Sequence, residues 1–229
     1  MNRLTAHAER AGPLHAWHQD NEAHFGRFGV AHYGDEAGER ASAQKLAICD
    51  LSLVPRCGFK GAGAGPWVSQ HLKFPAQPNQ ALALSSDGLV ARLSRDESLI
   101  VDSLSAPGVI EHINSKHAAE TPERCYSLPR QDSHGLIALS GARAPDVLAT
   151  LCAVDMATTQ FTPGAVAQTS LARLGAVVVR HFSSSTPLYY LFADHCAQAY
   201  LWNVLRDALA EFSGDTVGLA AMSALFSQT

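Results

Sequence analysis

No tract of Lys and Arg, no Cys-x-x-Cys pair and no apolar run of membrane length occurs in the 229 residues. Each shortage removes a class of function. Binding to nucleic-acid phosphates takes clustered cationic side chains. Here 17 Lys and Arg face 21 Asp and Glu, a formal charge of -4, so no nucleic acid is expected as a partner. The cysteines at 49, 57, 125, 152 and 196 are odd in number and lack zinc-site spacing. Neither a disulfide framework nor a zinc knuckle is therefore expected, and a reducing compartment fits. The apolar stretch 174–179 falls far short of the ~20 residues a spanning helix takes, so no membrane is expected either. The opening MNRLTAHAERAGPLHAWH has no apolar h-region, which argues against a secretory leader and for a cytoplasmic protein.

What is present is a globular balance, 47% hydrophobic and 17% charged, enough for one large domain or two small ones around a shared core. Residues 1–40 carry few aliphatics and several His and Gly, and read as an extended or partly ordered arm, expected to be dispensable for folding. Residues 41–128 read as a first half. Within it, 45–53 (KLAICDLSL) suits a buried strand and 66–72 a short helix with Pro66 in its first turn. The Asp87-Gly88 pair between apolar runs marks a hairpin, 98–102 a third strand, and 107–116 a helix with Val109, Ile110 and Ile113 on one face. Residues 129–229 repeat that order. Strands are expected at 135–139, 165–170, 174–179 and 188–192, with Gly175 at a bulge. Helices are expected at 144–151 and 196–212, the second capped by Asp194. Two such halves predict an α+β fold built of split βαβ, ferredoxin-like units.

The chemistry-bearing motifs fail one by one. The run Gly58-Phe59-Lys60-Gly61-Ala62-Gly63-Ala64-Gly65 has no Gly-Lys-Ser/Thr for a P-loop, and Pro66 stands where a dinucleotide fold needs its last glycine. A tight strand-to-helix turn explains it better, and Ser140-Gly141-Ala142 holds the equivalent place in the second half. Ser140 is not in a nucleophile elbow, and nothing local activates Cys49. Asp50, Asp87, Asp102, Asp155 and Asp194 read as caps or turn residues. His15, His18, His24 and His32 lack a suitably spaced Cys or acid to complete a metal site, and His181 and His195 read as surface residues. No catalytic, cofactor-binding or metal-binding residue is expected in this chain.

Taken in order, AICDLSLVPRCGFKGAGAGPWV, FPAQPN, DGLVARLSRDESLIVD, GLIALSGARAPDVLATLCAVDM, FTPGAVAQTSLARLGAVVVR and YYLFADHCAQAYLWNVLRDALAEF resemble the gamma subunits of heterotetrameric sarcosine oxidases. The likeness runs from about Ala47 to Phe212 and leaves the arm uncovered. It implies kinship with the folate-binding aminomethyltransferase (T-protein) and the fold of its first part. It also implies a complex that oxidatively demethylates sarcosine and passes the one-carbon unit to tetrahydrofolate. FAD, FMN, NAD, tetrahydrofolate and zinc would sit in larger flavin- and folate-binding subunits and a small zinc subunit, with none in this chain. The T-protein's Asp-Asp pair is matched here by Ala91 and Arg92, and its R-T-G-Y-T-G-E loop by Ala172-Arg173-Leu174-Gly175 without a Gly-Glu. The K-G-C-x-x-G-Q-E run of the related folate-dependent repair proteins is missing. Losing the acid removes a proton-handling group, so a non-catalytic subunit is implied. A stand-alone folate-binding aminomethyltransferase and a subunit of a related N-methyl amine oxidase or dehydrogenase remain open.

A subunit needs an interface, and aromatic anchors commonly dominate one. Trp17 and Phe25 in the arm have no obvious home in the chain's own core. Around the glycine turn, Phe59, Lys60 and a half-exposed Trp67 complete the expected contact set, although Trp67 suits the domain's core equally well.

Overall fold

Between residues 89 and 93, Leu89, Ala91 and Leu93 point one way and Val90 the other, and all four are buried. A strand with no wet face must be covered on both sides. The same holds for 134–140 and 188–194, and the outcome is four layers, helix–sheet–sheet–helix.

The structure, a computed structural model, describes residues 11–85, 87–182 and 186–226. Residues 1–10 of the expected arm, Ser86 of the expected hairpin turn and residues 183–185 of the polar connection lie outside the described residues. The chain begins with α1 (His15–Asp20), the hairpin β1 (His24–Gly26) and β2 (Gly29–His32), α2 (Glu36–Lys45) and β3 (Ala47–Asp50). Next come β4 (Arg56–Lys60), α3 (Ala64–His71), β5 (Gln80–Ala83), β6 (Leu89–Ser94), β7 (Glu97–Val101), α4 (Val109–Glu120) and β8 (Tyr126–Leu128). A short α5 (Arg130–Ser133) leads to β9 (His134–Ser140), α6 (Ala144–Leu151), β10 (Val166–Leu171), β11 (Leu174–Arg180) and β12 (Leu188–Asp194). The last elements are α7 (Gln198–Glu211), β13 (Asp215–Thr216) and α8 (Leu219–Phe226). None of the described helices is long and apolar enough to cross a membrane.

The repeat read from sequence is real in topology. One sheet is ordered β5-β6-β7-β4-β8 and the other β10-β11-β12-β9-β3-β13. Strands β7 and β8 both run antiparallel to β4, so β7–α4–β8 is a split βαβ unit with β4 between its parallel strands. In the second half β12–α7–β13 repeats it with β9 and β3 in between. The sheets meet at one seam, where Ala81 N–H donates to Gly164 O (2.7 Å) and Val166 N–H to Asn79 O (3.1 Å).

Two details depart from expectation. The strand of 45–53 does not open the first sheet. It is β3, and it pairs with β9 and β13 in the second sheet, while β4, hidden in the glycine-rich run, opens the first. Gly175 is not at a bulge: β10 and β11 stay in register, Ser170 opposite Gly175. The glycine turns, by contrast, are tight turns as read. Gly61 (φ +121) and Gly141 (φ +113) hold equivalent places before α3 and α6.

Three apolar clusters fill the layers. One lies between the second sheet and α6 and α7, one between the first sheet and α3 and α4, and the third between the two sheets. Met222, Leu225 and Phe226 of α8 belong to this third cluster.

Candidate functional site

The residues expected to form a loose arm instead form a polar junction with the domain. Helix α1 is short and has no side-chain cap, so it gains its order from packing. Leu14 joins the core and His18 is buried beneath it. His18 Nε2 lies 3.0 Å from Asp50 Oδ2 at the end of β3, and His18 Nδ1 lies 2.8 Å from the Tyr33 hydroxyl. Burial, reinforced by Cys49, Asp50 and Glu39, raises the Tyr33 phenol far above its usual range. Tyr33 therefore keeps its proton, and the His18 ring bridges its hydroxyl to the Asp50 carboxylate. The second oxygen of Asp50 accepts from the Ser52 N–H (2.9 Å), the Ser52 hydroxyl and the Gln198 amide (3.0 Å). One carboxylate thus ties α1, the turn after β3 and α7 together.

Trp17 sits beside this junction. Its ring meets Trp202 of α7 edge-on at 5.3 Å, and the Arg206 guanidinium stacks over it at 4.7 Å. Trp17, Tyr33, Asp35, Glu39, Arg206 and Asp215 line an open groove of about 390 Å³. Both Glu39 oxygens are committed to backbone, to Tyr33 N–H (2.6 Å) and Gly218 N–H (2.7 Å).

The space between the sheets is different in character. Ala91, where the resemblance implies an acid, is fully buried among Leu89, Leu136, Ala138, Tyr190 and Phe192 of the apolar cluster. Arg92 points the other way, donating to the carbonyls of Pro75 (3.3 Å), Ala76 (2.8 Å), Ser94 (3.3 Å) and Arg95 (3.3 Å). It braces a loop and leaves Ala91 with apolar neighbours, while the buried Arg56 guanidinium, on the inter-sheet face of β4, is met by the carbonyls of Ser52 (3.1 Å) and Val54 (2.8 Å). At the rim, Asp87 is more than a turn residue. Burial alone would raise its pKa, but the Ser103 hydroxyl and the Ser105 and Leu104 N–H groups hold it below the usual carboxylate range.

His181, expected at the surface, is buried against Tyr190 and Phe226 (ring centroids at 5.0 Å from each). A histidine next to Arg180 and a serine-rich connection gives no sequence sign of this. Burial pushes its pKa from 6.5 down to about 4, with Arg180 assisting and Asp87 opposing. Between those values the unfolded chain takes up a proton that the folded protein does not. The stabilising contribution is complete above about pH 6.5 and is lost as pH falls towards 4. Acidification across that window is expected to cost on the order of 2 to 3 kcal/mol. A His181→Phe variant should lose this part of the slope. Urea midpoints at pH 7, 6, 5 and 4.5 check it, and parallel slopes for the two proteins would refute it.

The expected contact residues separate into two groups. Phe25 is exposed, and so is the Lys60 side chain, which pairs with Glu97 at 2.9 Å. Of the other three, Phe59 and Trp67 are buried and Trp17 is partly buried. Trp67 is not half exposed: Trp67 and Phe59 are buried, packed edge-to-face at 4.9 Å, with the Trp67 indole N–H donating to Glu120 (2.8 Å). Trp17, thought homeless, packs on Trp202. The remaining acids match their reading as caps: Asp102 accepts from Gly108 and Val109 N–H at the start of α4, and Asp194 from Cys196 N–H before α7. Among the described residues no group of three or more His, Cys, Asp or Glu is placed to hold a metal ion. His24 and His32 stack face to face at 4.5 Å, and His32 Nδ1 accepts from the Gly34 N–H (3.1 Å).

Known proteins place this architecture. A family model described as the GCVT N-terminal domain matches residues 14–226. It takes in the junction at His18, which the sequence resemblance had left out. An aminomethyltransferase of Saccharopolyspora erythraea is 24% identical over 238 residues, covering 94% of this chain and 62% of that protein. The chain thus spans less than two thirds of that relative. A chain of the heterotetrameric sarcosine oxidase from Corynebacterium sp. U-96, in complex with pyrrole 2-carboxylate, superposes with a TM-score of 0.66 at 17% identity. That match covers 90% of this chain and 97% of the other. The glycine cleavage system aminomethyltransferase T from Bartonella henselae gives 0.68 at 16% identity, covering 93% and 61%. At these identities the two structures speak for the fold alone. With the family model extending from α1 to the end of α8, the chain belongs to the GCVT N-terminal domain family.

Proposed function

We propose that this chain is a non-catalytic, gamma-type subunit of a heterotetrameric sarcosine oxidase complex, which demethylates sarcosine to glycine and transfers the one-carbon unit to tetrahydrofolate. The observation that carries this reading is Ala91. Where an aminomethyltransferase would place an acid, Ala91 is fully buried among apolar side chains. A carboxylate introduced there would be buried without a partner, a cost the fold has no means to offset. The match over 97% of a sarcosine oxidase chain, against 61% of an aminomethyltransferase, supports the same reading.

In this proposal FAD, FMN, NAD, tetrahydrofolate and zinc belong to the larger subunits and a small zinc subunit, and the complex is cytoplasmic. Phe25, Lys60 and the exposed edge of Trp17 are the contact points retained. Phe59 and Trp67 support the interface from within. The choice among N-methylated amines would lie in another subunit. The 24% identity to an aminomethyltransferase keeps a stand-alone folate-binding protein as the second reading.

Affinity purification of the tagged chain from its native cell tests the two. Larger subunits and flavin absorbance are expected to co-purify with it. The chain produced alone is expected to be colourless and to bind tetrahydrofolate more weakly than micromolar, the level worth about -8 kcal/mol. Recovery of the chain alone from its native cell, together with micromolar folate binding, would overturn the subunit reading in favour of the second.

A further inference from the structure

We propose that the groove between α1, α2, α7 and β13 binds a small zwitterion of the amino-acid class, its carboxylate on Arg206 and its ammonium on Asp35 and Asp215. At about 390 Å³ the groove is within the size range of ligand clefts. Trp17 and Tyr33 form its aromatic wall.

Three charged groups face it with unused hydrogen-bonding capacity. Arg206 stacks on Trp17 at 4.7 Å and makes no hydrogen bond or ion pair among the described residues. Its planar fork is oriented by the stack and still has its donors, the geometry that receives a carboxylate through two parallel bonds. Asp35 gives one oxygen to the Gly38 N–H (3.0 Å), and Asp215 gives one to the Thr216 N–H (2.7 Å). The second oxygen of each takes no bond among the described residues. Glu39, with both oxygens engaged, holds the wall and takes no part.

The balance of charge selects the ligand class. Two acids with open oxygens repel a bare anion, and the guanidinium repels a bare cation. A molecule carrying both charges a few bonds apart satisfies all three groups, and Trp17 adds an aromatic face for the apolar part or the ammonium. The wall behind is rigid, because Tyr33 is pinned by His18 and His18 by Asp50. Trp17 is shared with the proposed subunit contact, so the site is tested on the chain without partners, where its failure leaves the subunit reading standing.

Amide-resolved NMR titration of the full chain with glycine, serine and leucine tests it, with acetate and methylammonium as half-ligands. At least one amino acid is expected to saturate shifts confined to α1, α2, β13 and the face of α7 bearing Arg206. Arg206→Gln and Asp215→Asn should each weaken it about tenfold or more, and each half-ligand should bind at least about tenfold more weakly than the amino acid. Both residues are exposed, so melting temperatures of the variants should match the parent. Three results would each overturn the proposal: no saturation by any of the three at about 10 mM, acetate binding as tightly as the amino acid, or Arg206→Gln leaving affinity unchanged.

Discussion

Removal of residues 1–40 is expected to abolish cooperative folding. The deletion takes away Leu14, His18, Val30 and Glu39, all buried, and cuts α2 through its middle. Full burial of side chains like Leu14 and Val30 is worth roughly 1.5 to 3 kcal/mol each. Asp50 loses its histidine while remaining half buried, and the Gly218 N–H loses Glu39, which leaves polar groups unpaired at about 1 to 3 kcal/mol apiece. The sum, of order 5 kcal/mol or more, approaches the whole stability of an ordinary domain. Helix α8 suffers as well, since it packs on α2 and β2. Urea titration followed by circular dichroism is the measurement. A truncated chain that unfolds cooperatively within about 1 kcal/mol of the full chain would show the segment to be an appendage after all. The single change His18→Ala should reproduce part of the loss, since it vacates the junction without shortening the chain.

Substituting Gly141 by alanine is expected to remove about 4 kcal/mol. A Cβ there would lie 2.4 Å from the carbonyl carbon and oxygen of Lys45, and the residue's φ of +113 already excludes most side chains. The obstacle is backbone on both sides: Ala142 and Arg143 N–H donate to Gln44 and Lys45 carbonyls, so the chain cannot retreat without breaking those bonds. Gly61→Ala at the equivalent turn should behave alike, because its Cβ would lie 2.1 Å from Arg124 O at φ +121. Gly175→Ala is the control. Nothing lies within 4 Å of its Cβ position, and the change should be neutral or stabilising by about 0.5 kcal/mol through the unfolded chain. Urea midpoints at unchanged slope report all three. Equal effects at Gly141 and Gly175 would mean that the turns tolerate ordinary residues and that glycine there has no structural reason.

How far the fold could be read from sequence follows from how local each signal is. The Asp87-Gly88 hairpin, the α6 segment and the Trp202-Leu205-Leu209 face of α7 are written within a few residues of one another, and each forms where expected. The glycine turns were legible for the same reason. The junction was not. His18 and Asp50 stand 32 positions apart and Gln198 and Asp50 148 apart, so nothing in HAWHQD announces a buried histidine. Helix α8 escaped because LAAMSALF is apolar all round and shows no face. Trp67 was ambiguous because a tryptophan after a glycine turn suits a core and an interface alike, and only its distance from Phe59 decides. The groove at Arg206 had no sequence sign, since its walls come from four separate elements.

The placement of β3 bears on how the protein is made. Residues 47–50 leave the ribosome well before their hydrogen-bonding neighbours, which are 137–140 on one side and 215–216 on the other. During synthesis this apolar strand has no partner until 137–140 have emerged, and its second edge stays open until 215–216 follow. The first sheet can close on its own strands while β3 waits beside it as an unpaired, β-prone segment. Such a nascent chain exposes a sticky edge for many seconds at ordinary translation rates and depends on holding chaperones or on rapid completion to escape self-association.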